Sequence, residues 1–271
     1  MNAGGEFKLS AFGVVVRVRS NRDDLLNAAK LELETAFGGT ASIFDIGGPD
    51  HQHSYSFIRD KTGRLVLFLN GKRITSGDSP QKFLRYFNSL VRITVAEHAD
   101  SRVFVHAGVV GWRGKVLVIP ARSFEGKSTL VKALVDYGAE YFSDEYAVID
   151  EAGLVHPFPR PITLRVGQEK MRILDLPPNE LGGRLAKSPA PIGCVLFTEY
   201  KEGAIWKPEI ISYGSGILEM IRHTIPFTRE PGYSLKVLNT ALNRAIIVRS
   251  PRGDAGEFAR IILDFIDNRS L

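Results

Sequence analysis

Residues 115–129 read Lys-Val-Leu-Val-Ile-Pro-Ala-Arg-Ser-Phe-Glu-Gly-Lys-Ser-Thr, and this stretch decides the fold. Residues 115–119 are a short apolar run of the kind that forms a buried strand. Residues 129–137, TLVKALVDY, place Leu130 with Leu134 and Val131 with Val135 four apart, and Gly138 follows as a helix-ending residue. Between the two lies Ala121-Arg122-Ser123-Phe124-Glu125-Gly126-Lys127-Ser128-Thr129, the phosphate-loop pattern with alanine in place of its first glycine. The spacing has a chemical reason. Successive backbone N–H groups curl around a β-phosphate, and Gly126 lets the chain approach closely. Lys127 reaches the β/γ oxygens, and the Ser128 hydroxyl is a ligand for Mg²⁺. Strand, loop and helix in this order predict an α/β nucleotide-binding unit.

Two geometric expectations extend the site. A helix over residues 127–138 and a returning strand over 139–144 each span about 16 Å, which brings Asp144 back level with the phosphates. The segment Ser143-Asp144-Glu145 then presents two carboxylates where a metal ion or an attacking hydroxyl would sit. Adjacent strand residues face opposite ways, so Asp144 is the first choice and Glu145 the second. The other expectation concerns residues 103–110, VFVHAGVV. If Arg113-Gly114 is a two-residue hairpin turn, His106 falls opposite Ala121, at the mouth of the loop.

Taken together, His106-Ala-Gly-Val, a hairpin, the loop ending Gly126-Lys127-Ser128-Thr129, a helix and Ser143-Asp144-Glu145 resemble the catalytic domain of the HPr kinase/phosphorylase family. The resemblance covers residues 101–151. It implies a phosphoenolpyruvate-carboxykinase-like P-loop kinase domain that uses ATP and Mg²⁺ to phosphorylate a serine hydroxyl. It also implies that His106 is the active-site histidine, that Lys127 and Ser128 bind phosphate and metal, and that Asp144 accepts the proton. The family's hexamers make a homo-oligomer the expectation. Its Glu-x-Arg-Gly-Leu-Gly signature is absent after Asp150, and this chain looks more like the offshoots that phosphorylate precursor peptides or free serine.

The remainder of the chain fits α/β, or α+β overall, with an accessory α+β domain over residues 1–99 and the kinase domain over 100–271. Residues 11–19, AFGVVVRVR, read as one strand, and residues 21–37 as a helix. Residues 54–60, 63–71 and 72–74 read as a meander broken at Asn70-Gly71, and residues 79–98 as a second helix. Residues 192–197 form a buried strand, and 214–222 and 253–267 have helical spacing. Arg160, held in a Pro-Phe-Pro-Arg-Pro run, is a candidate substrate or phosphate clamp. Arg222, His223 and Arg229 read as solvated surface, and His51 and His53 as a polar loop without a third metal ligand.

Composition removes other classes. With 271 residues and 44% hydrophobic content the chain is long and apolar enough for a real core. The 35 basic residues against 30 acidic ones are scattered and lack an aromatic platform, so no nucleic-acid partner is expected. One cysteine, Cys194, excludes an internal disulfide. It fits a cytoplasmic setting, as do the lack of a signal-peptide core and of a membrane-length apolar run. The expected activity is transfer of the γ-phosphoryl of ATP to a serine-type hydroxyl of a protein, precursor peptide or small molecule. A nucleotide-binding switch without phosphotransfer is the alternative.

Overall fold

Arg113 and Gly114 have φ of 49° and 80°. Those values make the tight primed turn whose twist matches two paired strands, and the hairpin it closes organises the larger part of the molecule. The structure is a computed structural model that describes residues 5–45, 47–121, 126–166 and 172–269. The chain divides into two units, Met1–Asp100 and Ser101–Leu271.

The first unit contains β1 (Glu6–Ala11), β2 (Val14–Ser20), α1 (Asp23–Phe37), β3 (Ser42–Phe44), β4 (His53–Arg59), β5 (Leu65–Leu69), β6 (Lys72–Gly77) and α2 (Pro80–His98). The strands form one sheet in the order β3-β1-β2-β4-β5-β6. Residues 11–19 are not one strand. Phe12 and Gly13 have φ of 51° and 80° and turn the chain between β1 and β2. Ser79 starts α2 by accepting a hydrogen bond from the Lys82 N–H, with Pro80 in the first turn where its missing N–H costs nothing. The helix buries Phe83, Phe87 and Val91, and Phe87 meets Phe57 and Tyr55 edge-on at 5.4 and 5.6 Å. His53 stands in β4 with its ring 4.4 Å from that of His98.

In the second unit, β7 (Arg102–Trp112) and β8 (Lys115–Pro120) make the hairpin, and α3 (Lys127–Asp136) follows. Next come β9 (Glu140–Ser143), β10 (Tyr146–Asp150), β11 (Leu154–His156), β12 (Ile162–Val166) and β13 (Arg172–Leu176). The chain closes with β14 (Ala190–Phe197), β15 (Glu209–Ile210), α4 (Tyr213–Ile221), α5 (Pro231–Leu242), β16 (Ile246–Arg249) and α6 (Ala255–Asp267). The main sheet runs β11-β10-β7-β8-β14-β16-β15, with β9 also on β7 and β11 also on β14. Strands β8, β14 and β16 are mutually parallel.

Alternation along these strands sorts side chains to two faces. Val105, Val109, Val118 and Val195 share a core with Met220 of α4 and Leu238 of α5. Val110, Leu117, Ile119 and Cys194 share the other with Leu130 of α3 and Ile262 of α6. The result is an α/β/α sandwich. Leu130, Val131, Leu134 and Val135 of α3 are all buried, and at about 1.5–3 kcal/mol each this packing fixes the helix, and so its first residues, against the sheet. No helix among the described residues is long and apolar enough to cross a membrane.

Candidate functional site

The β7–β8 register runs from Trp112 opposite Lys115 to Ala107 opposite Pro120, so His106 comes next, level with Ala121. That is the register expected from the Arg113-Gly114 turn. Burial first, and then the charge of Lys127, lowers the His106 pKa to about 4, so at neutral pH the imidazole is uncharged. Ala121 itself is buried. Arg122, Ser123, Phe124 and Glu125, assigned from the sequence to the phosphate loop, lie outside the described residues.

At the far end of the loop Gly126 caps α3 with φ of 76°, a conformation open to glycine at little cost. Lys127 and Ser128 form the first turn of the helix, and Thr129 beside them is exposed. The Lys127 stem lies over Gly108 of β7, where an added Cβ would come within 3.0 Å of Lys127 Cγ and 2.5 Å of Val131 Cγ2. The close approach of helix to strand therefore requires glycine.

Asp144 meets both side chains. Ser128 Oγ donates to Asp144 Oδ2 at 2.6 Å. Lys127 Nζ donates to the Asp144 carbonyl and stands 3.6 Å from Oδ1. The backbone explains how. Strands β9 and β10 lie on the same edge of β7, Ser143 opposite Val109 and Tyr146 opposite His106, with a register shift in the β9 pairing between Val109 and Val110. Between them the Glu145 carbonyl still accepts from the Ala107 N–H of β7 at 3.0 Å, while the Asp144 carbonyl turns to the Lys127 ammonium. Burial pushes the Lys127 pKa down, as does the Arg160 charge, while Asp144 holds it up. Asp144 Oδ1 is buried and accepts no hydrogen bond among the described residues.

Glu145 goes elsewhere: it is ion-paired with Arg160. Tyr141 Oη donates to the Arg160 carbonyl at 2.7 Å, and burial lowers the pKa of the guanidinium. The structure thus brings His106, Lys127, Ser128 and Asp144 together, with the Glu145–Arg160 pair beside them. Glu145, the second choice for a metal-binding or proton-accepting carboxylate, has its carboxylate taken by Arg160.

Sequence reasoning missed Arg252 and Tyr200 and left His223 at the surface. Arg252, on the turn between β16 and α6, is buried, and its Nη2 donates to the Gly126 carbonyl at 2.8 Å. Tyr200 follows β14, with the Arg252 guanidinium carbon 5.8 Å from its ring centroid. His223 is tied to the site by its carbonyl, which accepts from the His106 N–H at 2.8 Å, so it is not merely solvated surface. None of the three carries a local motif. The signal that could have found them is that ligands collect at the carboxyl ends of parallel strands, where the residues after β14 and β16 lie. A cavity of about 490 Å³ opens there, lined by Pro120, Phe197, Thr198, His223 and Arg249 among others.

The donors present fit a small hard cation. A serine hydroxyl, an aspartate and a buried oxygen without a hydrogen bond suit Mg²⁺, which takes one or two protein oxygens and completes its shell with phosphates and water. Among the described residues no three His, Cys, Asp or Glu side chains converge on a metal position.

No family model matches the chain, and no curated protein matches it. Among solved structures, the Hpr(Ser) kinase/phosphatase from Coxiella burnetii is similar at a TM-score of 0.31 and 15% identity, covering 62% of this chain and 95% of that one. At that distance the chemistry is read from the site's own residues.

Proposed function

We propose that the second unit is a phosphoenolpyruvate-carboxykinase-like P-loop kinase. It would transfer the γ-phosphoryl group of ATP, with Mg²⁺, to a serine-type hydroxyl of a protein, precursor peptide or small molecule. The observation that carries this is the constellation at the start of α3, where Lys127, Ser128 and Asp144 converge behind a loop of phosphate-binding sequence. Lys127 binds the β/γ oxygens, its charge exchanging Asp144 for phosphate. Ser128 and Asp144 would hold Mg²⁺, which supplies charge neutralisation at the transferring group.

The acceptor enters from the cavity at the carboxyl ends of β8, β14 and β16. Its hydroxyl oxygen forms the new bond to the γ-phosphorus as the bond to the β–γ bridging oxygen breaks, and that electron pair leaves on ADP. Asp144 Oδ1 takes the hydroxyl proton. Neutral His106 stands level with Ala121 at the loop mouth. Catalysis is then positioning plus charge stabilisation. The engagement of Glu145 by Arg160 leaves one carboxylate at the loop, which favours a second reading, a nucleotide switch without phosphotransfer.

The test uses γ-labelled ATP and Mg²⁺ with free serine, serine-ended peptides and a protein extract as acceptors. Kinase chemistry is expected to lose label transfer in both Lys127→Ala and Asp144→Asn, by about 10²-fold or more for Asp144→Asn. Nucleotide binding should survive in Asp144→Asn. Lys127-dependent ATP binding with no label moved to any acceptor overturns the kinase reading and leaves the switch.

A further inference from the structure

We infer that Tyr200 is the stacking platform for the nucleotide base; the inference rests on the nucleotide-binding reading above and extends it to a residue without a motif. A phosphate loop holds only the phosphates, and the base must lie against something within one nucleotide's reach. Exposed aromatic rings in the described part of the second unit are few, and three tyrosines are the candidates. Tyr137 stands at the opposite end of α3 from the loop, about 15 Å away along the helix. Tyr213, at the start of α4, has its hydroxyl committed to the Asn239 carbonyl at 3.0 Å. Tyr200 remains, and its Cβ lies 3.9 Å from where a Gly126 Cβ would stand, beside the first turn of α3.

Its setting is that of a built platform. The backbone on either side of Tyr200 is pinned, because the Arg252 N–H donates to the Glu199 carbonyl at 3.0 Å and the Lys201 N–H to the Arg252 carbonyl at 2.8 Å. The Arg252 guanidinium lies over the ring while donating to the Gly126 carbonyl. One cation therefore fixes both the ring and the end of the phosphate loop, a cation–π contact that holds the ring in place. Tyr200 is nevertheless 57% exposed, so part of its surface is open to a ligand. A planar base fits that surface. Stacking reads the π-face common to all bases, so the site would take adenine and guanine alike.

The experiment is calorimetric binding of ATP, GTP and inorganic triphosphate to the full chain, wild type against Tyr200→Ala, Tyr200→Phe and Lys127→Ala. Tyr200→Ala is expected to weaken ATP and GTP about tenfold while triphosphate affinity stays unchanged. Tyr200→Phe should bind like wild type, since it keeps the ring. Because Tyr200 is exposed, its melting temperature should not move, which separates the effect from unfolding. If ATP binding depends on Lys127 but is indifferent to Tyr200→Ala, the platform is refuted and the proposed function stands. Equal weakening of ATP and triphosphate also refutes it, by making Tyr200 a support of the loop. Failure of the wild type to bind ATP or triphosphate overturns both readings.

Discussion

Gly126→Ala should separate two costs that meet at one atom. The first is conformational: φ of 76° puts the new Cβ in the left-handed region, at about 1–2 kcal/mol. The second is steric, because that Cβ would lie 2.5 Å from Arg252 Nη2. The guanidinium must move, and its hydrogen bond to the Gly126 carbonyl goes with it, at about 1.5–3 kcal/mol for a charged donor. The sum is about 2.5–5 kcal/mol, or a fall in melting temperature of roughly 10 °C for a unit of this size. Arg252→Ala removes the obstacle, so in that background Gly126→Ala should cost only the conformational 1–2 kcal/mol or so. A double-mutant cycle by urea unfolding therefore has an expected coupling of about 1.5–3 kcal/mol. An equal cost of Gly126→Ala in both backgrounds would refute the contact between Arg252 and the loop.

Other outcomes follow from the titratable groups. The His106 pKa falls from an ordinary 6.5 to about 4, so the unfolded chain binds the extra proton more readily. Stability should be complete above pH 6.5 and decline as pH falls towards 4, by on the order of 3 kcal/mol, and His106→Asn should flatten that part of the curve in pH-dependent unfolding. An unchanged slope in the variant would mean that other groups govern it. Burial pushes the Cys194 thiol up to about 12. Labelling by a thiol reagent at pH 8 should therefore be roughly a thousandfold slower in the native protein than in denaturant, and comparable rates would place the thiol at the surface instead.

Local chemistry was legible and distant convergence was not. Arg113-Gly114 announced a two-residue turn, and turn length alone sets the hairpin register that brings His106 level with Ala121. Equal lengths of helix and returning strand brought Asp144 back to Ser128. The turn at Phe12-Gly13 was hidden because an aromatic residue at positive φ is uncommon and the flanking alanine and valines continue an apolar run. Strand alternation says that Glu145 faces away from Asp144 but not which partner waits there; Arg160 arrives from a proline-rich segment beyond β11. Arg252 stands 126 positions from Gly126, inside Ser-Pro-Arg-Gly-Asp, and becomes meaningful only when β16 lies parallel to β14.

The ring of pairings β7-β8-β14-β11-β10 has a bearing on the order in which the site comes into being during synthesis. Strands β8, β9 and β10 all pair with β7 within residues 102–150, and can do so as they leave the ribosome. The ring's last link waits for β14, and the clasp on Gly126 waits longer still, for Arg252 in the β16–α6 turn, 126 positions after Gly126. A nascent chain thus displays the phosphate-binding motif well before it owns the finished cradle. A residue translated long after the motif is what turns a sequence pattern into a grip.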